Sequence, residues 1–486
     1  DRLLAHYEAH PEFIGPETEG AARGCWLRVS CFRFVQVTAL GKDAWVSWLL
    51  NCIYIGVLLA ASPVLLWKRF RHGKYRHGWT EKLFGLVPRR ESNAPCIWFH
   101  AVSVGEVLQL EPIVAQLKEA RPDCEVAIST TTSTGYAVAR EKFPSAVVCY
   151  FPLDFSWAVR TAVRRIRPTA VVLVELELWP NFIRSVHLQG VPLAIINGRM
   201  SQRSYNGYRR IRPVVAAALR RVRLIAVQNE IYAERFADLT GRRDNLHVTG
   251  SIKLDRLQTD RGNLATESLR RDLGLQPGEV IFIAGSTQSP EEQFAIEPYK
   301  AVRLSHRYVR LIVVPRHQER FDEVARLIER TGLSLQRRSQ SPPEAPTNEP
   351  TVILLDTLGE LAACWGLADI AFVGGSLTPR GGQNMLEPAA YGAAVLFGPH
   401  TANFREPVEQ LLAESAAEVV TGQYDLTRAV RQFLDAPKSA RDMGQRARQW
   451  VLSQTGGTHR TVELLCRLLP ERPREVAAET YQVRAA

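Results

Sequence analysis

The chain has 486 residues, 46% hydrophobic and 23% charged, an ordinary globular composition that leaves room for two or three domains and excludes general disorder. A formal charge of +11 and a pI near 9.4 favour acidic partners, whether nucleic acid, anionic lipid or phosphorylated substrates. The eight cysteines form no CxxC pair and no Cys/His cluster, so neither a zinc site nor a disulfide framework is indicated, and a reducing compartment fits best.

Residues 1–43 carry no functional signal. Residues 44–67 contain no charge and are long enough to cross a hydrocarbon core of about 30 Å, with Trp45, Trp48 and Trp67 near the ends, where aromatic rings prefer the interface. Lys68, Arg69, Arg71, Lys74 and Arg76 follow at once. The positive-inside rule then puts the larger C-terminal part in the cytoplasm. The expectation is an uncleaved transmembrane anchor, with a buried core helix as the alternative.

From Cys96 onward, apolar runs of strand length alternate with amphipathic stretches: 97–102, 125–130, 147–153, 170–177, 192–198, 224–229 and 246–252. A second series follows at 280–287, 310–317, 351–357, 370–376 and 394–399. Strands separated by helices imply right-handed crossovers and parallel sheets, hence an α/β chain of two Rossmann-like, doubly wound domains with a boundary near residues 250–278. Residues 336–350 read as a polar, proline-bearing surface loop.

Ligands of such sheets lie at the carboxyl ends of the strands. In the first series those ends carry Ser103, Gly105 and Glu106, then Thr130 to Ser133, Glu175 and Glu177, and Asn197 and Arg199. Glu106 opens a helix after a tight turn, where a carboxylate either serves chemistry or answers the helix dipole. In the second series the ends carry Ser286 and Thr287, Pro315, Arg316 and His317, Thr357 and Gly359, and the stretch 374–388 with Gly381, Gly382, Asn384 and Glu387. A strand emptying into a glycine-rich turn that restarts as a helix offers outward N–H groups to an anion, and Glu387 suits a ribose hydroxyl pair. The alternative is a turn whose glycines are only conformational. Between residues 199 and 223 there are eight arginines and no acidic residue, Arg209, Arg210 and Arg212 among them, which suits phosphate or simply a solvated face.

HAVSVGE (100–106), YFPLD (150–154), VELELWPN (174–181), INGRMSQRSYNGY (196–208), TGSIKLD (249–255), VPRHQERFDEV (314–324) and GGQNMLEPAAYG with FGPHTANF (381–404) together resemble the 3-deoxy-D-manno-octulosonic acid (Kdo) transferases. The resemblance runs from about residue 45 to about 470 and departs at Gln383 and Met385, where His and Pro are more usual. It implies a GT-B fold, two domains facing across a cleft: a first, acceptor domain over 68–250, a second, donor domain over 251–470, and a tail at 471–486. It further implies an inverting glycosyltransferase on the cytoplasmic face of the inner membrane, moving Kdo from CMP-Kdo to the lipid A precursor in lipopolysaccharide assembly. No cofactor, metal or nucleic-acid partner is expected. Glu106 matches the family's catalytic glutamate. Ser103, Glu175, Glu177, Arg199, Arg209, Arg210 and Arg212 are candidates for acceptor or sugar, Glu175 and Glu177 being equally open to structural pairing. Ser286, Thr287, Pro315, Arg316, His317, Gly359, Gly381, Gly382, Asn384 and Glu387 are candidates for CMP. A nucleotide-sugar epimerase or other nucleotide-sugar transferase of the same fold, and a non-enzymatic protein binding anionic lipid, are the alternatives.

Overall fold

The computed structural model describes residues 42–72, 78–340 and 351–471. The expectations for residues 1–41, for Lys74 and Arg76, for 341–350 of the polar loop and for the tail beyond 471 lie outside the described residues.

Continuous apolar runs become strands buried on both faces, the signature of parallel sheets covered by helices. The first sheet holds β1 (Cys96–His100), β2 (Glu125–Thr130), β3 (Val147–Tyr150), β4 (Ala170–Val174), β5 (Leu193–Gly198), β6 (Leu224–Val227) and β7 (Leu246–Val248). Its order is β3-β2-β1-β4-β5-β6-β7, every pair parallel. The second holds β8 (Val280–Thr287), β9 (Val309–Pro315), β10 (Ser334–Arg337), β11 (Thr351–Leu354), β12 (Ile370–Val373), β13 (Ala394–Phe397) and β14 (Ala417–Val419), in the order β10-β11-β9-β8-β12-β13-β14, again all parallel. β10 and β14 were not among the expected strands. Both are short, lie at sheet edges and are only partly buried, so neither makes an apolar run.

In the first sheet the order reverses once, between β1 and β4; in the second it reverses between β8 and β12 and again at β11, which lies between β10 and β9. A crevice outside the strand ends opens at such a switch point, and ligands bind there. The cores lie between sheet and helices: Trp98 meets Phe182 edge to face at 5.2 Å in the first, and Phe282 and Phe372 are fully buried in the second.

The described chain divides into two compact units between Asp255 and Arg256, inside the expected boundary, but it divides again after Gln454. The sequence division carries the second domain to residue 470; instead, the helix Gly457–Cys466 returns to the first unit and packs on the helix Val104–Ala120. Asp255 fastens it, accepting from the amides of Gly456 at 2.6 Å and Thr458 at 2.5 Å. Gly457 lies so close to the backbone of Gly250 and Ser251 that a Cβ there would stand 3.2 Å from both. Periodicity reveals that this helix has an apolar face but not which core the face covers.

The uncharged N-terminal stretch is a helix, Lys42–His72, whose window Trp45–Val64 has 11% of its residues buried.

Candidate active site

At the switch point of the first sheet, β1 leads into Ser103, whose extended backbone and side chain cap the helix Val104–Ala120. Ser103 Oγ donates to Glu106 Oε1 at 2.8 Å, the amide of Glu106 reaches back to Ser103 Oγ at 3.4 Å, and the amide of Val102 donates to Glu106 Oε2 at 2.8 Å. This is a variant of the capping box, with the returning bond taken from the amide of Val102 in place of the N-cap Ser103, so the helix-capping role of Glu106 is real. Capping alone would hold the carboxyl low. Burial instead pushes it up to about 7, outweighing the amide of Val102, with the nearby Glu175 carboxylate adding to the rise and Ser103 and Lys253 opposing it.

Across the switch point, β4 is followed directly by Glu175, whose φ of 60° is left-handed. Lys253 reaches Glu175 Oε1 at 3.3 Å. Asn197, at the end of β5, has a φ of 52° and is fully buried; its amide donates to Gln109 at 2.6 Å and its Oδ1 accepts from Gln228 at 3.0 Å. Left-handed conformations of residues other than glycine are costly and gather at functional sites. Two adjacent strand ends carry them here. Glu177 is partly buried two residues beyond Glu175, and Arg199 is exposed just past β5. Arg209, Arg210 and Arg212 are exposed on the two helices that follow. The guanidinium of Arg209 lies 5.7 Å from the centre of the Tyr205 ring. Arg212 is engaged by Asp238, at 3.8 Å from its Oδ1 and hydrogen-bonded to its carbonyl.

In the second sheet, Ser286, with a φ of 54°, and the buried Thr287 close β8, and Thr287 pairs in register with Pro315 of β9. Arg316 follows, its amide on the Thr287 carbonyl at 3.0 Å, and then His317, 4.0 Å from Glu319. Gly359 lies beyond β11 with a φ of 83°. The glycine-rich turn after β12 differs from expectation. The amides of Gly375, Ser376 and Leu377 do not face outward; they donate to the fully buried carboxylate of Glu291, at 2.6, 2.9 and 2.9 Å. Glu291 also accepts from the amide of Gln288 at 3.0 Å, so the anion held by this part of the turn is the protein's own. Ser376 Oγ then takes the amide of Gly398 at 2.8 Å, tying in the end of β13. Further on, Gly381 and Gly382 have φ of 89° and 78°, and a Cβ on Gly381 would meet the Asn403 amide at 2.6 Å. Asn384 donates to Glu387 Oε1 at 2.9 Å across the start of the short helix Leu386–Ala390.

Residues 77–256 match the family model described as 3-deoxy-D-manno-octulosonic-acid transferase (kdotransferase). The 3-deoxy-D-manno-octulosonic acid transferase of Haemophilus influenzae is 34% identical over 85% of this chain and 94% of its own length. The chain belongs to the Kdo transferase family. The transferase of Bordetella pertussis is 31% identical over 85% of this chain and 98% of its own. Among solved structures, the UDP-GlcNAc 2-epimerase of Neisseria meningitidis bound to UDP-GlcNAc matches 76% of this chain and all of its own at a TM-score of 0.53; at 11% identity this likeness shows the fold alone.

This Kdo transferase is therefore an enzyme, a glycosyltransferase with two parallel-sheet α/β domains of GT-B type. Its first unit brings Ser103, Glu106 and Glu175 together, joined by Lys253, which sits in the quoted TGSIKLD run. Its second unit brings Ser286, Thr287 and the turn after β12 to one edge, joined by Glu291. Like Glu106, Glu291 lies in the first turn of the helix after the first strand of its sheet, as the first helical residue where Glu106 is the third. That parallel in Ser-Val-Gly-Glu and Gln-Ser-Pro-Glu was the available signal. Among the described residues, no group of three or more His, Cys, Asp or Glu side chains is placed to hold a metal ion.

Proposed function

We propose that this transferase moves Kdo from CMP-Kdo to the tetra-acylated, bisphosphorylated lipid A precursor with inversion at the anomeric carbon, as a step of lipopolysaccharide assembly at the cytoplasmic face of the inner membrane. An acceptor hydroxyl is a poor nucleophile at its own pKa and needs a positioned base. Glu106 is that base. The hydroxyl proton passes to a carboxylate oxygen of Glu106 while the acceptor oxygen bonds to the anomeric carbon, and the bond from that carbon to the phosphate oxygen breaks, releasing CMP with the electron pair. Each oxygen of Glu106 accepts one internal hydrogen bond and keeps a second lone pair for the acceptor. The observation that carries the reading is a carboxyl raised to about 7, at the switch point of the sheet and beside the strained Glu175.

On the donor side, Glu387 bonds the ribose, Asn384 with Gly381 and Gly382 shapes the cytidine and phosphate contacts, and Arg316 offsets phosphate charge. Ser286, Thr287, Pro315, His317 and Gly359 line the same strand edge. Basic side chains and helix N-termini are sufficient to hold the leaving phosphate, so the reading calls for no metal. Glu175, Glu177 and Ser103 position sugar hydroxyls, and Arg199, Arg209 and Arg210 meet the acceptor phosphates. The test is product mass spectrometry on purified protein given CMP-Kdo and the lipid acceptor. The expected product carries one or more added Kdo residues; no adduct with CMP-Kdo, together with turnover of a UDP or GDP sugar, would contradict the assignment.

A further inference from the structure

The helix Lys42–His72 is apolar enough to cross a membrane, but it is not clear of the domain that follows it. Ser47, Asn51 and Tyr54 are spaced four and three apart, which puts them on one face of the helix. All three bond to the first unit. Arg184 donates to Ser47 Oγ at 2.8 Å; Asn51 exchanges bonds with Ser156, donating to Oγ at 2.8 Å and accepting from the amide at 3.0 Å; and Tyr54 donates to Asp154 Oδ2 at 3.0 Å. Asn181 adds a bond to Asn51 at 3.3 Å, and Asp154 in turn caps the helix Pro180–Leu188 through the amides of Asn181 and Phe182. Ser47, Asn51 and Asp154 are all buried. The other side of the helix is bare: Trp45 is 70% exposed, Trp48 60% and Leu59 67%.

A span that used Trp45–Val64 would place residues 45–54 in the leaflet far from the catalytic domains. The bonds just described would then carry Arg184, Asp154 and the ends of two helices into hydrocarbon, where loops and charges are not tolerated. The part of the apolar stretch beyond the docked face, residues 55–67, is about 20 Å long, well short of a hydrocarbon core of about 30 Å. We propose that this helix is a fixed part of the first domain's membrane face and does not cross the bilayer: it lies in the near leaflet, with both its ends on the side of the catalytic domains. The occupant of its bare face is the headgroup and acyl boundary of an anionic phospholipid bilayer. Exposed tryptophans suit that depth, and the basic residues that follow the uncharged stretch in sequence complement the bilayer's charge. The exposed apolar surface continues onto the domain, where Trp157, 42% exposed, stacks on Phe155 at 4.6 Å, which itself packs against Tyr54, and donates to the Leu83 carbonyl beside the exposed Phe84.

The inference rests on the membrane attachment in the proposed function, not on Kdo transfer, and its test reads no activity. Recognition sites for a sequence-specific protease are placed in the full chain, one ahead of residue 42 and one after residue 471, and the protease is added to inside-out and to right-side-out membrane vesicles, with detergent-solubilised protein as the cleavage control. Cutting of both sites in the same vesicle population is expected. Cutting of the two sites in opposite populations would overturn the proposal. Both sites cut only in right-side-out vesicles would uphold it while refuting the cytoplasmic placement. A second chain carrying Asn51→Leu and Tyr54→Phe removes the clasp and leaves the apolar stretch free to insert. Its N-terminal site should lose part of its protease access on the catalytic side, and access identical to the parent's would contradict the clasp as the cause.

Discussion

A carboxylate with no exposed surface must be met by donors, and Glu291 is met by four backbone amides drawn from two loops. Its removal leaves those amides buried and unpaired, at about 1–3 kcal/mol each where water cannot enter. Glu291→Ala should lower the melting temperature and weaken CMP binding tenfold or more, read by calorimetry below the melting point; wild-type affinity in the folded variant would detach Glu291 from the donor site. Asp154 is buried with a different balance. Burial lifts its carboxyl from 3.8 to about 7 against the lowering bonds from Asn181, Phe182 and Tyr54. The folded chain thus holds this proton more tightly than the unfolded chain does, so the contribution to stability is fully present below the unfolded value and is lost as pH rises through about 7. Asp154→Asn cannot titrate. The melting temperature of this variant minus that of the parent should therefore become more favourable between about pH 5 and pH 8, and a constant difference would contradict the raised value.

Elements differ in how much of themselves they write into the sequence. Strands such as β1 and β4 are buried on both faces, so they stand out as unbroken apolar runs and their carboxyl ends could be read directly to Ser103, Glu106 and Glu175. β10 and β14 are half-covered edges with mixed residues and leave no such mark. The polar face of the N-terminal helix was hidden because Ser47, Asn51 and Tyr54 carry no charge and barely lower hydropathy, and the taking of the glycine-turn amides by Glu291 depends on a contact 84 residues away in sequence. Over residues 199–223 the eight-arginine run reads as uniform, yet Asp238 from a neighbouring helix already holds Arg212, at the start of the helix Arg212–Leu219. Arg209 and Arg210 are thus the better acceptor candidates. Replacing both by serine should raise the acceptor KM severalfold with the CMP-Kdo KM nearly unchanged, whereas Arg212→Ser should act chiefly on stability. Steady-state kinetics with each substrate varied in turn checks this, and an unaltered acceptor KM would remove the arginines from the site.

At the scale of the whole molecule, the charge of +11 and the apolar helix both suit the proposed placement at an anionic membrane surface with a lipid acceptor. Each unit repeats one plan, a parallel sheet with a glutamate in the first turn of the helix after its first strand, and the two glutamates differ in use. Glu291 is fully buried and spent on amides; Glu106 is only partly buried, raised toward neutrality and set at the switch point. Turnover of the intact enzyme decides whether that difference is catalysis. The measurement is kcat against pH for the parent and for Glu106→Gln, with CMP affinity and melting temperature taken on the same preparations. The parent kcat should fall below about pH 7 as Glu106 takes up its proton. Glu106→Gln should retain CMP affinity, lose that limb of the profile and turn over roughly 10² to 10⁴ times more slowly. A folded Glu106→Gln enzyme with turnover within a few-fold of the parent and the same pH limb would contradict the assignment of Glu106 as the base.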